Sequence, residues 1–326
     1  MKTKVFAVIM AVVSVFNFAV MAQEEVHQHN SAAGEKILLR IKLDAGDKYD
    51  MKMSQVQNVT QTMNGQEMQI SQDQETVMGY EVLAVEPNGV AKVKTMFKSM
   101  KIKTKTPQGE FEYDSAKPVL DSNNPMSQMM GAMYSAMVGA SMTMKLKPNG
   151  EVYEVDGLGA MMEKLAEAGP EAEMIKQMMK QMFDDEKMKD SMGEMFVVYP
   201  DEPVVVGQAW YDEMGLDIGF PIDYTTTYML VKRENGLAYI DSVAKMDLGD
   251  EAQKIEMGPM KTSFQMAGTV NQSIVVDELS GWLKSADGKM NLTGIIKMEP
   301  NAQMPNGMTM PMKIDGIIKV ETLKVE

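Results

Sequence analysis

The side chains with the widest chemical range in this sequence are its 38 methionines, set against only 16 leucines, a reversal of the usual order. A thioether is a soft ligand that suits Cu(I) or Ag(I), and it is also a flexible, polarisable apolar filler. Met308-Thr-Met310-Pro-Met312 and Met142-Thr-Met144 put thioethers on one face of a strand, because side chains alternate with period two. Met178 and Met182 stand one helical turn apart, and His27-Gln-His29, beside Glu24 and Glu25, has the donors for a weak divalent site. Met308, Met310, Met312, Met142, Met144, His27 and His29 are therefore the candidate metal ligands. The methionines also occupy nearly every position where the pattern demands an apolar residue, as Met174, Met178 and Met182 show. That spread favours core filling, or an apolar surface able to repack around varied ligands. On this reading Met129, Met133, Met137, Met178 and Met182 are the ligand-binding candidates, and no cofactor is implied unless Cu(I) is bound.

Several chemistries are closed by what the chain lacks. Its only histidines are His27 and His29, in a short polar stretch, and it has no cysteine. A Ser-His-Asp or Cys-His nucleophile needs an imidazole held rigidly by a third group, and a folded zinc site needs His or Cys ligands. Ser242-Val-Ala-Lys245 matches Ser-x-x-Lys, but it lies in a predicted strand and has no companion motifs. Neither a glycine-rich phosphate loop nor a calcium loop is present. The 46 acidic residues leave a carboxylate-only mechanism open, although two Trp and ten Tyr offer few platforms for sugars. The expectation is a protein that is not an enzyme. A net charge of −14, with Arg40 and Arg233 the only arginines, disfavours nucleic acid and anionic membrane surfaces.

The elements that must position these residues follow from periodicity. Residues 1–22 read as a signal peptide: Lys2 and Lys4, an apolar run over Val5–Val20, then Val20-Met21-Ala22 before Gln23. With no cysteine to carry a lipid anchor and no later stretch of spanning length, the expected product is soluble, periplasmic or secreted, and not lipid-anchored. Residues 23–35 form a disordered lead-in. Residues 36–124 are a β-rich first half, with hairpins around Asn64-Gly65 and Pro87-Asn88-Gly89. Residues 125–195 carry Met-rich helices and a hairpin around Pro148-Asn149-Gly150, and 196–326 form a β-rich second half. Gly46-Asp-Lys-Tyr49 is echoed by Gly207-Gln-Ala-Trp210, and 83–93 aligns without a gap on 230–240. The predicted fold is α+β: a large twisted antiparallel sheet, or two related half-barrels, with the Met-rich helical segment covering one side. The predicted role is binding of an apolar small molecule or an envelope protein, with soft-metal binding as the alternative.

Four segments carry a resemblance. They are the opening strand with Gly46-Asp-Lys-Tyr49, Lys147 to Gly157, Phe196 to Trp210, and Val275 to Trp282. Together they are similar to an uncharacterised family of exported proteins and lipoproteins of Gram-negative bacteria. Many of those members carry a lipid-anchoring Cys, which this chain lacks. By analogy, the resemblance implies a curved sheet with covering helices, similar in pattern to periplasmic lipoprotein and lipid carriers. It implies no catalytic residue.

Overall fold

The computed structural model describes residues 34–325 apart from 64, 108, 119–124, 158, 160–184, 218–220, 248–252, 258–259 and 301–304. Alternation of inward apolar and outward charged residues builds most of it into strands. The first half contains β1 (Lys48–Met63), β2 (Gln66–Val85), β3 (Ala91–Thr106), β4 (Gly109–Asp114), α1 (Pro125–Met137), β5 (Ser141–Leu146) and β6 (Val152–Asp156). The second half contains α2 (Asp185–Gly193), β7 (Ala209–Asp217), β8 (Pro221–Glu234), β9 (Leu237–Asp247), β10 (Gln253–Met257), β11 (Met260–Asp277), β12 (Leu283–Met298) and β13 (Met308–Val325).

All thirteen described strands join one antiparallel sheet. Its path is β6-β5-β3-β2-β1-β13-β12-β11-β9-β8-β7, with β4 on β3 and β10 on β11. The predicted alternative of two half-barrels is corrected here. The first and last long strands pair from Lys48↔Val325 to Gln61↔Met312, so the halves share one sheet. Each half alone would expose an edge of unpaired N–H and C=O groups, and pairing β1 with β13 removes both edges. The protein is predominantly antiparallel β. The described helices are α1 and α2, and much of the Met-rich helical stretch, including Met178 and Met182, lies outside the described residues. Among the described residues no helix is long and apolar enough to cross a membrane.

Outward faces are held by charge alternation between strands. Lys101 of β3 stands between Glu75 of β2 and Asp114 of β4, and Lys103 stands between Asp73 and Glu112. Opposite charges across strands stabilise modestly and keep the outer face wet.

The internal echo has a geometric counterpart. Gly46 N–H donates to the Val82 carbonyl while Val82 N–H donates to the Asp47 carbonyl. In the same way Gly207 N–H donates to the Leu230 carbonyl and Leu230 N–H to that of Gln208. Each hairpin carries a bulge just beyond this clasp, between Val82 and Ala84 and between Leu230 and Lys232. Asn235 and Gly236 both take positive φ, as the two-residue turn between β8 and β9 requires.

Because the strands are antiparallel, their turns gather at two ends. One end holds the turns at 86–90, 147–151, 235–236 and 278–282. The other holds the connections from β1 to β2, β3 to β4 and β12 to β13.

Candidate functional site

The first end is closed by aromatic packing. Tyr49 stacks on Trp282 with ring centroids 4.6 Å apart, and Tyr80 and Phe196 meet the same indole edge-on at 5.7 and 5.5 Å. The Tyr80 hydroxyl lies 3.8 Å from the sulfurs of Met51 and Met78 and 3.4 Å from that of Met195. Three thioethers thus converge on one hydroxyl. The segment after α2 seals this end. Tyr199 N–H donates to the Asn149 carbonyl, its hydroxyl donates to the Gly281 carbonyl at 2.7 Å, and Trp210 Nε1 donates to the Val198 carbonyl at 2.8 Å. Two glycines permit the close approach. A Cβ on Gly150 would stand 2.1 Å from the Val197 oxygen, and one on Gly281 would stand 2.1 Å from the Arg40 oxygen. Both have positive φ. All four segments singled out in the sequence meet here, as packing residues.

Away from this closure, the inward residues form rungs that cross the sheet. One rung runs Gln74–Gln55–Ile318–Gly288–Gln272–Ser242 through β2, β1, β13, β12, β11 and β9. The next begins Thr104–Gln72–Gln57–Gly316–Met290–Val270. Beyond these two polar rungs come Ile70–Val59–Ile314–Leu292, then Met68–Gln61–Met312–Gly294–Met266. Val59, Ile70, Ile314, Leu292, Met266, Met310 and Met312 are buried but do not belong to the core cluster that contains the aromatic closure. The far part of the inner face is therefore a second apolar lining, separated from the first by a belt of amides.

The belt is incompletely hydrogen-bonded. Gln55 donates to Gln57 Oε1 at 3.3 Å, Gln72 to Gln74 Oε1 at 3.3 Å, and Gln74 to Thr76 Oγ1 at 3.2 Å. Gln57 Nε2, Gln72 Oε1 and both amide atoms of Gln61 are buried with no hydrogen-bond partner. These side chains are 0, 2 and 1% exposed respectively. The signal was present in the sequence as Gln at alternate positions, 55-57-61 and 72-74, within strands that read simply as polar.

Two further features were not legible in the sequence. Helix α2 packs against both terminal strands of the path, β6 and β7. Just after it, Glu194 is buried and accepts a hydrogen bond from the Tyr224 hydroxyl. Burial pushes the Glu194 carboxyl up to about 8, an effect partly offset by the Tyr224 bond and reinforced by Asp190. On the outer face a groove of about 260 Å³ lies over β1 to β4. Both of its lysines are paired, Lys101 3.5 Å from Asp114 and Lys103 with Glu110 and Glu112.

The predicted site residues fall in separate places. Met137, Met142 and Met144 are buried in the core cluster of the closed end, and Met133 packs against it; Met129 shares α1 with Met133 and Met137. Met308, Met310 and Met312 lie on the inward face of β13, in the second lining. Strands β3, β2 and β1 separate them from Met142 and Met144, so the two methionine motifs are not brought together. His27, His29, Met178 and Met182 lie outside the described residues. Among the described residues no group of three or more His, Cys, Asp or Glu side chains could hold a metal ion.

The sequence profile of a family of unknown function, DUF6263, matches residues 88–283, well over half of the chain. The chain belongs to the DUF6263 family. The matched region contains three of the four segments that build the closed end of this DUF6263 protein. No curated protein matches it in sequence. Among solved structures it is similar to lipovitellin, described for its lipid–protein interactions, at 9% identity and a TM-score of 0.43. The match covers 87% of this chain and 26% of lipovitellin, so the DUF6263 protein spans about a quarter of that chain's length. It is also similar to an outer membrane channel from Pseudomonas putida F1, at 6% identity and a TM-score of 0.26 over 90% of this chain and 100% of that one. A third likeness is to the outer membrane protein OprG from Pseudomonas aeruginosa, at 7% identity and a TM-score of 0.24 over 87% and 99%. At these TM-scores, the likenesses assign neither a fold family nor a ligand to the DUF6263 protein.

Proposed function

We propose that this protein is a non-catalytic, exported envelope protein that binds an apolar ligand on the inner face of its sheet. The observation that carries the reading is the second apolar lining. Ile314, Leu292, Met312 and Met266 are buried, face inward from long neighbouring strands, and stand apart from the aromatic core. Four inward positions around them, at 268, 288, 294 and 316, are glycines that let neighbouring strands and side chains approach closely, since an added Cβ would stand 2.3, 2.7, 2.5 and 2.9 Å from its nearest neighbour. Methionine is suited to such a lining, because its unbranched side chain adapts to ligands of different shape. The chemistry of the chain is consistent with carriage rather than turnover, since it lacks Cys and has His only at 27 and 29.

The test uses N-phenyl-1-naphthylamine, a neutral probe that brightens in apolar surroundings. The full mature chain is expected to bind it saturably, and Leu292→Lys, which puts a charge into the lining, is expected to weaken binding at least about tenfold. Absence of saturable binding by a folded protein would contradict the reading.

Soft-metal binding is the second reading, favoured by one observation. Met308 and Met298 are register partners, and Met310 and Met312 continue the same inward face. Anaerobic loading with Cu(I) followed by desalting distinguishes it: a built site retains about one equivalent, and retention under about a tenth removes this reading.

A further inference from the structure

The amide belt narrows the class of ligand, and this step rests on the apolar-ligand reading above. Buried polar groups in folded proteins are almost always hydrogen-bonded, because a buried donor or acceptor left without a partner costs as much as losing the bond. Here Gln57, Gln61 and Gln72 are each at least 98% buried, and each carries at least one amide atom without a partner. For Gln61 the assignment of amide oxygen and nitrogen is immaterial, since neither atom is bonded. A glutamine is also a poor choice for filling an apolar sheet face, where Leu or Met would pack without penalty. The three therefore hold hydrogen-bonding capacity in reserve at fixed places.

Their positions are informative. Gln57 and Gln72 are direct register partners, and Gln61 lies two inward positions further along β1, with Val59 between. The free groups include donors and acceptors, Gln57 Nε2 and Gln72 Oε1 among them. The apolar lining begins at the next rung. None of the inward residues on β1, β2, β11, β12 and β13 between the closed end and the far end is charged. A carboxylate, phosphate or ammonium placed at the belt would lose its hydration and find no counter-ion on these five strands. An uncharged group that both accepts and donates would find partners of each kind.

We infer that the belt recognises the uncharged polar group of a neutral amphiphile, an amide, ester or alcohol, while its hydrocarbon chain lies along the methionine and aliphatic lining. The belt sets the position of the ligand along the strands and excludes its ionised counterparts.

The experiment compares three twelve-carbon amphiphiles at about pH 8 as competitors of N-phenyl-1-naphthylamine on the full mature chain: dodecanamide, dodecanoate and dodecyltrimethylammonium. Dodecanamide is expected to displace the probe at a concentration at least about tenfold lower than either ion, as one or two satisfied hydrogen bonds predict. Gln57→Met with Gln72→Met, which leaves Gln61 in place, is expected to reduce that preference at least about threefold. If the folded wild-type chain binds no probe, the apolar-ligand reading itself fails. If the probe binds but the three amphiphiles compete equally, or the double variant keeps the preference, the inference is overturned and the amides hold buried water only. Should the double variant fail to fold by circular dichroism, the three-way comparison on the wild-type chain decides alone.

Discussion

The two ends of the inner face are built from the same alternating strands, yet they solve burial differently. At the closed end Tyr49, Tyr80, Phe196 and Trp282 interlock, and hydrogen bonds from Tyr199 and Trp210 lock the sealing segment onto backbone carbonyls. At the far end the lining is Met, Ile and Leu interrupted by glycine, and amide atoms of Gln57, Gln61 and Gln72 beside it lack partners. The closed end is held by interlocking rings, whereas the belt and the lining beyond it combine unpartnered amide atoms with adaptable side chains, which on the proposed reading serve a ligand rather than stability.

The largest effect that would sharpen this contrast is expected at Trp282. Replacing it with Ala removes an indole 2% exposed and packed against three rings, and is expected to cost about 3–5 kcal/mol in chemical denaturation. Trp282 Nε1 makes no hydrogen bond, so Trp282→Phe should keep much of the packing and cost clearly less. Equal losses for the two variants would show that stacking is not what holds the end closed.

The next effect depends on pH. The Glu194 carboxyl sits at about 8 in the folded chain against an ordinary 4.5, because burial disfavours its charge. The folded state therefore holds this proton more tightly than the unfolded state does. The stability involved is fully present below about pH 4.5 and is lost as pH rises through about 8. Glu194→Gln should narrow the difference in melting temperature between pH 5 and pH 8.5. An unchanged difference would place the pH dependence elsewhere.

A smaller effect of opposite sign is expected at the far end. Gln61→Met removes two buried amide atoms without partners and should stabilise the ligand-free chain by about 1–2 kcal/mol. Destabilisation by that substitution would erase the contrast between the ends. Smallest of all, Lys103→Ala on the outer face breaks exposed pairs with Glu110 and Glu112 and should leave the melting temperature unchanged.

Much of the fold was legible because hairpin chemistry is local. Pro87-Asn88-Gly89, Pro148-Asn149-Gly150 and Asn235-Gly236 all mark real turns, and the echo between 83–93 and 230–240 corresponds to a repeated clasp. What could not be read was set by long-range pairing. Nothing local in Lys48–Gln61 announces β13 as its neighbour, so one sheet could not be told from two half-barrels. The belt was hidden for a related reason. Gln55, Gln57 and Gln61 alternate with other polar or small residues such as Ser54, Asn58 and Thr60, which masks the period that separates an inward face from an outward one. The placement of the methionines was also set at long range, since the motifs at 142–144 and 308–312 lie on strands well apart in the sheet.

The most direct test of ligand carriage is native mass spectrometry of the protein extracted from its host without detergent. The account predicts a population heavier than the bare chain that releases a neutral amphiphile on collisional activation. A bare-chain mass alone, from protein that also fails to take up added dodecanamide, would contradict it.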